Sequence, residues 1–248
     1  IKENGIVELN AFNENEEAPN IVTNSVRIRS GGVLSHSGPN ATEVKKLHVR
    51  CLGDFTVEAG GAVNVDYKGY TYNKGPGCAN RTPLYASTAS HWAGKLGTAK
   101  CYGSIRKPFN YGSGCSGQAS GGAGSGAVRL EVLGRLTVDG KITSSTMDTT
   151  RVFRAAAGSV WIDCGVLSGT GNILAHGAKW PNYGDISTSG GRIAVYQSQT
   201  NDLTSFTGKI QTTRTTCKHS ACGTIYLEDT DDAKGEGTLL IDNLGVNS

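Results

Sequence analysis

Two carboxylates stand at equivalent places in two copies of a short, degenerate pattern. One copy reads Val128-Arg129-Leu130-Glu131-Val132-Leu133-Gly134 and the other Val160-Trp161-Ile162-Asp163-Cys164-Gly165. If the copies stack, Glu131 and Asp163 come within reach of each other, in one outward column with Arg50, Tyr196 and Glu228. Paired carboxylates of this kind serve a glycosidase or a calcium-dependent lyase. Close like charges also raise one pKa of the pair. The bland alternative is a solvated ladder in which Arg50 offsets Glu131, and the repeats suggest no other arginine or lysine poised beside the two acids.

Other residue groups carry weaker chemistry. The run Glu228-Asp229-Thr230-Asp231-Asp232 offers hard oxygen ligands, so Asp229, Asp231 and Asp232 are candidate Ca²⁺ ligands. It lacks the glycine and distal glutamate of an EF-hand loop, and a solvated acidic turn is the simpler reading. The five histidines have no metal-ligand spacing. Cys217 and Cys222 flank His219, but a small disulfide-closed loop is preferred over zinc. No nucleophile elbow with plausible partners occurs.

The elements that must position these residues follow from the repeat. Each copy contains short stretches of period-two apolar alternation, closed by glycine. Leu47–Gly53 leads to Phe55–Glu58 and Ala62–Val65; Val128–Gly134 leads to Leu136–Gly140 and Lys141–Thr143; Val160–Gly165 leads to Val166–Gly169 and Asn172–Ala175. Looser copies begin at Arg192 and Thr224, and a partial one at Val26. Three short strands per unit in constant order predict an all-β right-handed parallel β-helix, with like residues stacked about 4.8 Å apart. A β-sandwich or jelly roll is the competitor.

The 248 residues are read as one domain with a large insertion at about 67–126, rich in glycine and tyrosine. Its aromatic residues Tyr70, Tyr72, Tyr85, Trp92, Tyr102 and Tyr111 are candidate ligand-binding residues, suited to stacking on sugars or anchoring a partner. They could equally fold back over the body of the protein. Cys78, Cys101 and Cys115 are expected to staple the insertion. Stacking also places Cys51 and Cys164 in one inward column, two strands apart with Val132 between them, which is too far to bridge.

Seven cysteines, with sequons at Asn40 and Asn80, point to a secreted glycoprotein. The odd count leaves one thiol over. Glycine supplies 35 residues and charged residues only 18%, and the net charge of +3 argues against nucleic acid as partner. No apolar run is long enough to span a membrane. The chain starts at Ile1, and a processed piece of a larger protein is the expectation.

The segments Ala127-Val128-Arg129-Leu130, Leu136-Thr137-Val138-Asp139-Gly140 and Val166-Leu167-Ser168-Gly169-Thr170-Gly171-Asn172-Ile173 resemble repeats of large secreted surface proteins of the pectin-lyase-like class. The resemblance covers about two thirds of the chain. It implies the β-helix and leaves function open, because the class holds lyases, hydrolases, adhesins and stalks.

The expected function is a structural or adhesive extracellular module, a subunit of a filament, sheath or larger surface protein. Its partners are further copies, neighbouring coils or a polysaccharide. Leu239-Leu240-Ile241-Asp242-Asn243 is read as the strand of an uncapped coil that invites end-to-end stacking. A polysaccharide lyase or glycoside hydrolase and a carbohydrate-binding module are the alternatives. No cofactor is expected beyond the candidate Ca²⁺.

Overall fold

The structure is a computed structural model that describes residues 1–2, 4–9, 18–79, 82–83, 101–114, 122–146, 155–177, 179–180, 186–200, 202–213 and 222–242. Among these residues there is no helix. The strands are, in order, β1 (Ile6–Leu9), β2 (Ile21–Thr23), β3 (Val26–Ile28), β4 (Val33–His36), β5 (Leu47–Cys51), β6 (Phe55–Val57) and β7 (Ala62–Asn64). The short β8 (Cys78–Ala79) and β9 (Thr82–Pro83) are followed by β10 (Ala127–Val138), β11 (Lys141–Thr143), β12 (Ser159–Ser168) and β13 (Asn172–Leu174). Then come β14 (Lys179–Trp180), β15 (Ile186–Ser187), β16 (Arg192–Gln197), β17 (Lys209–Gln211), β18 (Thr224–Glu228) and β19 (Thr238–Leu240).

These strands form two multistranded sheets and two small hairpins. The six-stranded sheet runs β1-β4-β7-β11-β13-β17, and all of its pairings are parallel. The nine-stranded sheet runs β19-β18-β16-β12-β10-β5-β2, with β3 and β6 continuing alongside the far half of β10. Apolar residues from both sheets meet in one core, including Leu130, Leu136, Ile142, Ile162, Leu167, Ile173 and Ile193, all fully buried.

The expected right-handed β-helix is therefore corrected: two multistranded sheets form, and they do not close into a solenoid. The reason lies at a corner that the sequence pattern exaggerates. Gly134 and Gly165 look like strand ends, yet β10 and β12 run through them as single strands of 12 and 10 residues. Only a register shift between Val132 and Arg135 marks the bend. The glycines serve close approach: a Cβ on Gly134 would lie 2.4 Å from Asp54 Oδ1, and one on Gly165 would lie 2.7 Å from the Gly134 carbonyl oxygen. Two of the three anticipated steps thus belong to one sheet.

A second correction concerns β19, the last strand among the described residues. β19 turns back and pairs antiparallel with β18, so Leu239 and Leu240 do not begin another stacked unit.

The disulfide expectation is corrected as well. No disulfide forms among the described residues. Cys101 is a free, exposed thiol, and Cys222 carries a thiol whose ionisation is disfavoured by burial. The side chain of Cys78, and Cys115 and Cys217, lie outside the described residues. Cys51 and Cys164 behave as anticipated: each pairs in register with Val132, both are buried, and neither is bridged.

Candidate functional site

The outward face of the larger sheet carries the site. Parallel register sets Arg50 opposite Glu131, Glu131 opposite Asp163, Asp163 opposite Tyr196, and Tyr196 opposite Glu228. Two residues earlier on the same strands, period-two alternation brings a second outward row, with His48, Arg129, Trp161, Ala194 and Tyr226 in register. Successive members of a row are one strand spacing apart, about 4.8 Å.

Glu131 is the most heavily paired group. Its Oε1 lies 2.7 Å from His48 Nε2 and 2.9 Å from an Arg129 terminal nitrogen, while Oε2 accepts from Arg50 Nε at 2.6 Å. Burial alone would raise its pKa, but the hydrogen bonds from Arg50 and His48 and the charge of Arg129 outweigh burial and hold the carboxyl below its ordinary value. Asp163 moves the other way. Burial pushes its carboxyl up, and the nearby Arg129 and Trp161 only partly oppose that. Arg129 Nε is 3.7 Å from Asp163 Oδ2, and neither Arg129 Nε nor Trp161 Nε1 has a hydrogen-bond acceptor. The expectation that no arginine stands beside the pair is corrected: Arg129 reaches both acids.

The Arg129 guanidinium also lies over the Trp161 ring, 3.8 Å from its centroid. His48 is buried, with Nδ1 3.1 Å from the Ala18 carbonyl oxygen. Burial lowers its pKa, against the hydrogen bonds to Glu131 and Ala18 that raise it.

Residues 101–114, part of the anticipated insertion, cross this face. Arg106 donates to the Gly235 carbonyl at 3.1 Å, and Tyr196 Oη donates to the Arg106 carbonyl at 2.5 Å. Ser159 Oγ donates to the Asn110 carbonyl at 2.8 Å. At the far end Glu43 accepts from the Tyr111 backbone N–H at 2.7 Å and from Asn110 Nδ2 at 3.0 Å. Lys46, buried, pairs with Glu43 at 3.0 Å and lies over Phe109.

Three concavities that share lining residues run over this face, two of them bordered by the crossing segment. One of ≈ 480 Å³ lies among Arg50, Lys107, Phe109, Glu131 and Trp161. One of ≈ 410 Å³ extends over Glu131, Asp163, Tyr196 and Glu228. One of ≈ 560 Å³ lies among Arg106, Lys107, Trp161, Asp163, Glu228 and Lys234. Together they make a groove running across the strands.

The aromatic residues expected to bind ligand contribute little to this groove. Tyr111 is fully buried, and Tyr70 packs edge-on against it with centroids 5.6 Å apart. Tyr102 Oη lies 2.5 Å from the Tyr111 carbonyl and 2.9 Å from Ser113 Oγ. Tyr72 is exposed but lines none of the three concavities. Tyr85 and Trp92 lie outside the described residues. The groove uses Trp161, Phe109 and Tyr196 instead. Trp161 was legible in principle, since it stands two residues before Asp163 on an alternating strand. Phe109 carries no periodic signal.

The acidic turn caps itself. Asp232 Oδ2 accepts from the Asp229 backbone N–H at 3.1 Å, and Asp229 Oδ1 from the Asp231 backbone N–H at 3.0 Å. Among the described residues, no cluster of three or more His, Cys, Asp or Glu could hold a metal ion. Asn40 is partly buried, and its Nδ2, the atom a glycan would occupy, donates to the Ser37 carbonyl at 3.2 Å. Asn80 lies outside the described residues. Compared with known proteins, the chain matches no family model, no curated protein and no solved structure.

Proposed function

We propose that this chain is an adhesive module of the cell exterior that holds an extended polysaccharide along the groove of its larger sheet. The observation that carries the reading is the repetition in the groove. Polar and aromatic side chains recur there at strand spacing, from Arg50 through Glu131 and Asp163 to Tyr196 and Glu228. A polymer whose units repeat on a similar scale meets the same kind of group at each step. Trp161 and Tyr196 supply apolar faces of the sort that pack on sugar rings, with Phe109 buried beneath them, and a few charged groups fix orientation. Beside these rings the Asp163 carboxylate is 36% exposed and can accept from a sugar hydroxyl.

Adhesion is favoured over cleavage because Glu131 is pinned by three cationic or donor groups, which leaves it a poor base or nucleophile. One observation supports the second reading, a polysaccharide-cleaving enzyme: the pKa of Glu131 is held down while that of Asp163 is pushed up, the divergence expected of a base and an acid.

Titration calorimetry with a polysaccharide panel tests both readings. Saturable binding that Trp161→Ala and Tyr196→Ala weaken, with no new reducing or unsaturated ends, is the expected result. Released ends that disappear in Glu131→Gln would replace adhesion with catalysis. Absence of binding to every polymer would remove the groove reading.

A further inference from the structure

The groove has more positive charge than its own acids consume. Five cationic side chains line it, Arg50, Arg106, Lys107, Arg129 and Lys234, against three carboxylates, Glu131, Asp163 and Glu228. Arg50 and Arg129 are spent on Glu131. Glu228 accepts from Tyr226 Oη at 2.7 Å and the Gly235 backbone N–H at 2.9 Å, neutral donors that leave its charge in place, so the three acids offset three of the five cations. Asp163 has as its nearest cation Arg129, at 3.7 Å, which is already paired with Glu131. Lys107 and Lys234 form no ion pair among the described residues, and the Arg106 guanidinium donates to a neutral carbonyl, that of Gly235. Lys107 is central: it lines the concavities on both sides of Trp161.

We propose that the polymer is an anionic glycan whose carboxylate or sulfate groups pair with Lys107, in a field strengthened by Arg106 and Lys234. This rests on the groove reading above and adds the ligand's charge. Three like charges around one open groove repel each other until a counter-ion arrives, so an anion gains from all three at once. A sugar ring against Trp161 brings its substituents to Lys107 from either neighbouring concavity. A neutral glycan would use the aromatic residues and leave the cations solvated.

The test uses three polymers of similar length, a neutral glucan, a polyuronate and a sulfated galactan, titrated at low and high salt into the wild type and the double variant Lys107→Gln/Lys234→Gln. Both lysines are exposed, so the variant keeps the fold. Expected is binding of the carboxylated or the sulfated polymer at least about tenfold tighter than the neutral one, with roughly a tenfold loss in the double variant and a shallower salt dependence. Whichever anionic polymer binds identifies the group that is read. Equal affinity for neutral and anionic polymers, or a double variant that binds all three as the wild type does, overturns this inference and leaves the groove standing. Failure of all three to bind removes the groove reading and this inference with it.

Discussion

Arg129 lies with its guanidinium 3.8 Å from the Trp161 ring centroid, its in-register neighbour on the next strand. From there it reaches the two acids of the groove, one at 2.9 Å and one at 3.7 Å. A single side chain thus orders the floor, and Arg129→Met removes a stacked cation and leaves two acids without a shared counter-charge. Because Arg129 is mostly buried, the loss should be about 2–4 kcal/mol by denaturant unfolding. Arg129→Lys should recover only part of it, since an ammonium neither stacks nor forks as guanidinium does.

Asp163 carries a cost that a variant should relieve. Its folded-state pKa is raised above the ordinary 3.8 by burial, so the unfolded chain releases the proton first as pH climbs. Stability attributable to this group falls as pH rises from 3.8 through the raised value. Asp163→Asn should therefore increase the melting temperature at neutral pH and leave it nearly unchanged below pH 3.8. A melting curve across pH, wild type against variant, reads this directly.

His36 has the opposite sensitivity. Burial lowers its pKa from 6.5 to about 4, and its ring stacks on Tyr111 with centroids 5.6 Å apart. The unfolded chain takes up a proton below pH 6.5 while the folded one does not, so stability drops between pH 6.5 and about 4. The window corresponds to about 3 kcal/mol at most. His48, lowered by burial, adds to the same trend. In His36→Gln the slope over this window should flatten, as measured by urea unfolding at successive pH values.

Glu43 fastens the crossing segment, since it binds Lys46, the Tyr111 backbone N–H and Asn110 at once. Glu43→Ala deprives a buried lysine of its carboxylate partner, and a loss of about 2–4 kcal/mol is expected. Limited proteolysis should then cut within residues 101–110 sooner than in the wild type.

β19 presents an apolar edge strand. Leu239 and Leu240 on β19 are 44% and 43% exposed, and Ile241 just beyond the strand is 61% exposed. Such edges pair with other chains. Sedimentation velocity should reveal self-association that grows with concentration and is reduced in Leu240→Lys.

Stacking was legible because it follows from identical order in successive copies. Cys51, Val132 and Cys164 fall in one buried row, and Arg50, Glu131, Asp163, Tyr196 and Glu228 in one outward row, as alternation and repeat length imply. The number of sheets was not legible. Gly134 reads as a corner, yet in the fold it is the small residue that lets β10 pass closely over Gly53. The site's other half was hidden for a different reason. Phe109, Lys107 and Arg106 sit in a segment without periodicity, brought over the sheet by hydrogen bonds to residues distant in sequence, among them Glu43, Ser159, Tyr196 and Gly235. Tyr111 looked like a ligand-stacking ring, but its interior place is set by contacts to Lys45 and Glu43 that lie far away in sequence.

Oxidative footprinting with and without saturating anionic polysaccharide addresses the groove most directly, because it reports on individual side chains. The account predicts that Trp161 and Tyr196 lose reactivity together on binding, while exposed Tyr72, away from the groove, stays as reactive as before. Protection of Tyr72 with Trp161 and Tyr196 unchanged would place the ligand elsewhere and contradict it.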